Sequence, residues 1–230
     1  MTDSKRTRFG PDLQWFREHD DPRAVVLVLH GGTSDSLDPV GRYGLPVLRL
    51  VPFAWSLARA RRDVAVALLR YAVRGWNGTE RSPVADARWA LEQVAARFPD
   101  RPIALVGHSM GGRTALHVMD DPAVEVVATL ATWVERHDPV HGRPGLSVFL
   151  GHGTDDRITS ASGSSLMARA LTAKGADVTL ELVEGENHAL LRRARWWHER
   201  VNPLLNAVAY RDFDAALDRA RRLRKPRGAF

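Results

Sequence analysis

The sequence predicts an α/β fold with a mostly parallel central sheet and helices on both faces. Short runs of Val, Ile and Leu alternate with helix-like stretches along most of the 230 residues. Several of these runs lack polar alternation, which is typical of strands that a parallel sheet buries on both faces. Their alternation with helical stretches indicates βαβ units. The six predicted strands are residues 24–29, 64–71, 103–107, 126–131, 147–151 and 178–183.

Helix-like segments occupy the intervals between these strands. Residues 45–62 are rich in apolar positions, but Pro52 should kink or split a helix there. Ser82 followed by Pro83 predicts a helix start, with the hydroxyl as cap and the proline at the first helical position. The other predicted helices are residues 111–119, 161–174, 189–209 and an amphipathic stretch that begins at residue 212.

The composition predicts one domain over residues 1–230, because no Pro-, Gly- or Ser-rich linker divides the chain. Residues 1–22 form a polar N-terminal segment and residues 225–230 a frayed tail. The absence of cysteine excludes disulfides, thiolate metal sites and a cysteine nucleophile. The polar start lacks the apolar run of a signal peptide, and no stretch approaches the ~20 apolar residues of a membrane helix. We therefore expect a cytoplasmic protein with no membrane partner.

The net charge of +6 raises the question of an acidic partner. The arginines are scattered, and the densest clusters lie on predicted helices, whose basic faces are usually solvated. We therefore do not expect nucleic acid as a partner. Nucleic-acid binding through residues 211–230 is the alternative to be tested by its salt dependence. The sequence leaves a homo-oligomer open.

The stretch ALVGHSMGGRTAL, residues 104–116, fits two motifs. Gly107 to Gly111 fits G-x-S-x-G, the strand-to-helix turn that exposes a nucleophilic serine. Gly107 to Thr114 fits the phosphate-binding loop G-x-x-x-x-G-K-[ST], with Arg113 in place of lysine. A planar guanidinium is a poor substitute for that lysine, and the strand at 126–131 ends without the aspartate that Mg²⁺ would need. The sequence therefore favours a nucleophilic Ser109.

The residues that a nucleophilic serine requires follow in the expected chain order. Asp155 and Asp156 come directly after the strand at 147–151, and His188 follows the last strand. The three positions would then lie in loops at the carboxyl edge of the sheet. His30-Gly31-Gly32 follows the first strand, where an amide of an oxyanion hole is expected.

At this point the sequence resembles the α/β-hydrolase family over roughly residues 24–200. The matching pieces are HGG at 30–32, RGWNG at 74–78, GHSMGG at 107–112, HGTDDRI at 152–158 and GENH at 185–188. The resemblance implies that the triad acid is Asp156, and it leaves Asp155 as the alternative. Many relatives insert a helical lid after the fourth predicted strand, but WVERHDPVHGRPG (133–145) leaves room for a loop alone.

These observations predict a serine hydrolase with a catalytic triad of Ser109, Asp156 and His188. The amides of Gly32 and Met110 are the expected oxyanion donors, and the Met110 side chain could line the pocket. Trp76 and Trp133 follow strand ends on the same edge and are candidate pocket walls, with ordinary packing as the alternative. We expect a small-molecule ester substrate, no cofactor and no metal. A non-catalytic small-molecule binding protein is the alternative, and a thioesterase, peptidase or C–C hydrolase also stays open.

Overall fold

The computed structural model describes residues 10–190, 192–202 and 208. The strands in this part of the chain are β1 (Asp12–Arg17), β2 (Ala24–Leu29), β3 (Val64–Arg70), β4 (Ile103–His108), β5 (Val124–Leu130), β6 (Ser147–Gly153) and β7 (Asp177–Val183). They form one sheet in the order β1-β3-β2-β4-β5-β6-β7. β1 pairs antiparallel with β3, and every other neighbouring pair is parallel.

The helices of the described residues are α1 (Leu45–Ala60), α2 (Ser82–Arg97), α3 (Met110–Val118), α4 (Ala161–Ala173) and α5 (Ala194–Val201). α1 packs on β1 to β3, α3 packs on β2, β4 and β5, and α4 packs on β6 and β7. Every residue of β2 and β4 is buried, which requires cover on both faces of the sheet. The predicted fold class is therefore confirmed, and the carboxyl ends of the six parallel strands from β2 to β7 share one edge.

Three local features differ from the sequence prediction in whole or in part. The polar N-terminal segment contains β1, whose edge position and antiparallel pairing suit its mixed sequence DLQWFR. Pro52 does not split α1, so that part of the prediction is wrong, whereas a kink at Pro52 stays a prediction; the loss of a single helical hydrogen bond is offset by a buried face that runs along the whole helix. Ser82 is the first residue of α2 rather than its cap, which is Arg81.

The end of the chain is described only in part. Of the helix predicted over 189–209, Ala194–Val201 form α5, whereas residues 189–190 and 192–193 are not helical; the stretch from residue 212 with the tail at 225–230 lies outside the described residues. Residues 131–146, between β5 and β6, contain no helix, as predicted for a chain without a helical lid. In the described part of the chain, no helix has the length and apolar character that crossing a membrane requires.

Candidate active site

Ser109 lies in a sharp turn between β4 and α3. Its backbone has φ 56° and ψ −118°. A non-glycine residue in such a sparsely populated region costs about 1–3 kcal/mol, so the surroundings must hold it in place. The Ser109 amide donates to the Leu130 carbonyl at 2.9 Å. The Ser109 carbonyl in turn accepts from the amides of Arg113 at 3.1 Å and Trp133 at 3.3 Å.

The glycines around Ser109 allow three elements to approach one another closely. A Cβ atom on Gly107 would collide with the backbone of Gly111. A Cβ atom on Gly111 would collide with the carbonyl group of Leu29 at the end of β2. The G-x-S-x-G spacing is therefore needed because β2, β4 and the first turn of α3 share this space. This geometry is that of a nucleophile elbow.

Asp156 and His188 are brought together from two neighbouring loops. His188 Nδ1 donates to Asp156 Oδ2 at 2.8 Å, and the carboxylate is fully buried whereas the ring is 16% exposed. Because Nδ1 carries the proton, Nε2 of His188 is left with a lone pair that can accept one. This is the tautomer that a general base requires.

The Asp156 carboxylate is stabilised by several donors. Oδ1 accepts from the backbone amides of Ile158 at 2.8 Å and Thr159 at 2.9 Å, and Oδ2 accepts from the Thr159 hydroxyl at 2.7 Å. Burial by itself would raise the pKa of Asp156, but these hydrogen bonds and the one from His188 outweigh it and hold the pKa below its ordinary value. The carboxylate is therefore ionised at neutral pH.

Asp155, the sequence alternative to Asp156, faces the other way. Its exposed carboxylate lies 3.3 Å from Arg192. Asp138, which follows β5, bonds Arg113 and His117 rather than His188. Of these three aspartates, Asp156 is the one in contact with the His188 ring.

Sequence reasoning missed His152, which contacts the same carboxylate. His152 Nε2 lies 3.2 Å from Asp156 Oδ2, and its Nδ1 lies 2.8 Å from the Ser164 hydroxyl. Burial lowers the pKa of His152, so the ring is neutral. The position of His152 as the last but one residue of β6, four residues before the acid, is the signal that could have indicated this contact.

Two further histidines orient the loops of the site. His30 Nδ1 donates to the Gly31 carbonyl at 2.6 Å, and His30 Nε2 accepts from the Tyr71 amide at 3.3 Å. His108 Nε2 donates to the backbone carbonyl of His188 at 2.9 Å. Burial lowers the pKa of His30 to about 4 and that of His108 to about 3, so both rings stay neutral and keep these bonds.

Of the two expected oxyanion donors, Met110 follows Ser109 in the chain and Gly32 packs against Met110. Met110 opens α3, where a backbone amide has no acceptor within the helix. Gly32 lies against it, since a Cβ atom there would collide with the Met110 side chain and the Arg74 carbonyl. The expectation that the Met110 side chain lines the pocket is wrong, because it is fully buried under Gly32.

The contact between Ser109 and His188 is less close than the rest of the triad. Within residues 10–190, no hydrogen bond joins the Ser109 hydroxyl to the His188 ring. The two residues are nevertheless linked through His108, whose ring lies 5.0 Å from that of His188, centroid to centroid. Hydrogen bonds between catalytic groups are often long before substrate binds and shorten in the substrate complex.

The tryptophans predicted as pocket walls belong to a buried cluster around Arg113. The guanidinium carbon lies 4.1 Å from the ring centroid of Trp76 and 4.5 Å from that of Trp133. Trp76 is 3% exposed and packs inside this cluster, which agrees with the alternative of ordinary packing rather than with an open pocket wall. Trp133 is half-buried, and its role as a wall stays a prediction.

The described residues contain no cluster of side chains suited to bind a metal ion. No three His, Asp or Glu side chains of this part of the chain converge as a metal site would require.

Comparisons with known proteins agree with this architecture. Residues 72–144 match the family model described as serine aminopeptidase, S33. A comparison with curated proteins finds no match. Many solved structures are similar in fold, and several are named as hydrolases or esterases.

Three of these structures illustrate the likeness. An acetyl ester-xyloside bifunctional hydrolase from Caldicellulosiruptor lactoaceticus has a TM-score of 0.67 at 17% identity, covering 89% of this chain and 90% of that one. MGS-M1, an α/β hydrolase enzyme from a Medee basin deep-sea metagenome library, has a TM-score of 0.65 at 19% identity, with coverages of 87% and 93%. An α/β serine hydrolase homologue from Coxiella burnetii has a TM-score of 0.62 at 15% identity, with coverages of 85% and 91%. The resemblance to α/β-hydrolases is thus confirmed, and this chain has the α/β-hydrolase fold.

Proposed function

We propose that this protein is a serine hydrolase that cleaves carboxylic esters of small to medium size. The observation that carries the proposal is the 2.8 Å bond from His188 Nδ1 to the buried Asp156 carboxylate, beside a serine in an elbow turn. That bond orients the ring and leaves Nε2 available as a base. The absence of a helix from residues 131–146 supports a small or medium substrate rather than one that needs a large lid.

The reaction follows from these positions. Ser109 Oγ attacks the ester carbonyl carbon, and its proton passes to His188 Nε2. The carbonyl oxygen becomes an oxyanion, which the amides of Gly32 and Met110 would bind. The bond to the alcohol breaks and His188 returns the proton to the alcohol oxygen, which leaves an acyl-enzyme. Water then attacks the acyl carbon, gives its proton to His188, and the acid leaves as the proton returns to Ser109.

The test is turnover of short p-nitrophenyl esters combined with covalent labelling by a fluorophosphonate. We expect Ser109→Ala to abolish labelling and to lower kcat by about 10⁶-fold, because the nucleophile is lost. Ser162→Ala, an exposed serine on α4, is the matched control and should behave as the unaltered protein.

The outcomes separate the alternatives. Labelling that persists in Ser109→Ala would contradict the proposal, since the nucleophile would lie elsewhere. Ligand binding that survives Ser109→Ala, with no product from any ester, thioester or anilide, would favour a non-catalytic small-molecule binding protein instead. Faster turnover of thioesters or p-nitroanilides than of esters would contradict only the bond type.

A further inference from the structure

A pocket of about 320 Å³ opens beside the HGG loop. Gly31 and Gly32 form one side, and Val40, Leu45 and Pro46 contribute apolar groups. Among the described residues that line it, Arg74 alone carries a full charge. A Cβ atom on Gly31 would lie 3.4 Å from the Ser109 Cβ atom, so the pocket begins next to the proposed nucleophile.

The Arg74 backbone is fixed at the rim of this pocket. Its amide donates to the Asp38 carbonyl at 3.0 Å, and its carbonyl accepts from the Thr33 amide at 3.0 Å. The same carbonyl lies against Gly32, where it leaves no room for a Cβ atom. These contacts hold the Arg74 backbone against the HGG loop, which would bind the oxyanion.

The Arg74 side chain, by contrast, is exposed and has no acidic partner in the described part of the chain. Arg70, four residues earlier, pairs with Asp12, and the buried Arg113 pairs with Asp138. The exposed acids of the facing loop, Asp35 and Asp38, form no ion pair with Arg74. A guanidinium at the rim of an apolar pocket and free of a protein carboxylate is available to a carboxylate of the substrate.

A second arginine adds positive charge on this side of the site. Arg49 lies one helical turn after Leu45 in α1 and has no ion pair among the described residues. Burial is the main cause of the low pKa of His108, and the charge of Arg49 contributes to it. Arg49 therefore adds positive charge near His108, the residue before the proposed nucleophile.

We propose that this pocket receives the acyl chain of an ester whose far end is a carboxylate, which pairs with Arg74. The inference rests on the proposed function, because the acyl carbon carries the oxyanion and its chain must start beside the HGG loop. The apolar walls take the methylene groups, and the guanidinium takes the terminal carboxylate in a bidentate pair.

The experiment compares two esters of equal chain length, the p-nitrophenyl monoester of adipic acid and p-nitrophenyl hexanoate. The measured quantity is the ratio of their kcat/KM values. We expect the ratio to exceed one, to fall by about tenfold in Arg74→Gln because a charge-assisted bond is lost, and to recover in part in Arg74→Lys. It should also fall as the salt concentration rises.

Arg62→Gln is the matched control. Arg62 is also exposed and has no ion pair in the described residues, but it lies before β3, at the opposite edge of the sheet. We expect Arg62→Gln to have the same kcat/KM ratio as the unaltered protein. A ratio that falls equally in both variants, or that Arg74→Gln leaves unchanged, would overturn the inference. Hydrolysis of the hexanoate ester with no preference for the adipate ester would overturn the inference about Arg74 and leave the serine hydrolase proposal intact. Hydrolysis of neither ester would count against the inference and against the serine hydrolase proposal.

A filling variant tests the pocket itself. Gly41 lines this pocket, and a Cβ atom on it would have no heavy atom within 4 Å, so a side chain can begin there without a clash. We expect Gly41→Leu to lower kcat/KM for the adipate ester by about tenfold, because it narrows the space for the methylene groups. An unchanged value, with intact labelling of Ser109, would overturn the placement of the acyl chain in this pocket.

Discussion

Two Asp–His pairs contain aspartates that follow neighbouring strands, β5 and β6, and the pairs differ in the ring nitrogen that contacts the carboxylate. His188 contacts Asp156 through Nδ1 at 2.8 Å, so Nε2 takes no part in this hydrogen bond. His117 binds Asp138 through Nε2 at 2.9 Å. The ring of His117 is also more deeply buried, with 5% of the side chain exposed against 16% for His188.

The third partner of each carboxylate separates the two pairs further. Asp138 is 2.8 Å from the Arg113 guanidinium, which is itself enclosed by the Trp76 and Trp133 rings. Asp156 has no arginine or lysine partner among the described residues and is bound by backbone amides, a hydroxyl and two imidazoles. The residue pair alone therefore does not define a base. The greater exposure of its ring and the absence of an arginine at its carboxylate partner separate His188, the proposed base, from His117.

The largest expected difference is in turnover. We expect Asp156→Asn to lower kcat on p-nitrophenyl acetate by about 10⁴-fold, because the amide no longer fixes the His188 tautomer. Fluorophosphonate labelling should slow in parallel, and the melting temperature serves as the check on folding. A loss no greater than that in Asp138→Asn would break the comparison.

The second pair should affect stability more than turnover. We expect Asp138→Asn to lower the free energy of unfolding by about 3 kcal/mol, because Arg113 would be left as an uncompensated buried charge. Denaturant unfolding measures this, and Asp155→Asn, at an exposed carboxylate, is the control that should change little.

The pH dependence of the same variant sharpens this expectation. Burial alone would raise the pKa of Asp138, but the bonds from His117, Arg113 and the Glu135 amide outweigh it and lower the pKa. The carboxylate therefore stabilises the fold fully above its unfolded pKa of about 3.9, and this contribution is lost as pH falls through the lower folded pKa. The stability difference between Asp138→Asn and the unaltered protein should shrink over that acid range. A constant difference would contradict the role of the ionised form.

The smallest effect concerns the second imidazole at Asp156. We expect His152→Phe to lower kcat/KM by about tenfold, since Oδ2 loses a polar contact and Asp156 is held less firmly against His188. His152→Gln, which keeps an amide donor, should recover part of the loss. If both variants keep full activity and lose only thermal stability, His152 supports the fold and not the site.

The sequence predicted the buried strands and the loops of the candidate site, because burial on both faces and the order of the motifs along the chain each determine the residue types there. Strands β2 to β6 are buried on both faces, and their continuous apolar runs identify them. The loops that carry Ser109, Asp156 and His188 follow from the chain order of their motifs. By contrast, β1 is an edge strand in which polar residues alternate irregularly, so its sequence resembles a loop.

Contacts between distant residues were less predictable. Nothing near Arg113 in sequence indicates that Trp76 and Trp133 enclose it, because these three residues come from separate loops and a helix. His152 was missed for a related reason, since its partner Ser164 lies on α4 and its partner Asp156 beyond the strand end. Periodicity and motifs report local structure and strand ends, whereas such clusters depend on how the loops fold back.

The bond from the Ser109 amide to the Leu130 carbonyl has a consequence for measurement. This amide can exchange its hydrogen with solvent only when β4 and the end of β5 separate, so its exchange rate reports the opening of the central sheet at the reacting residue. Slow exchange would mean that the central sheet holds the Ser109 backbone in its conformation, and that motions of the surface loops do not disturb it.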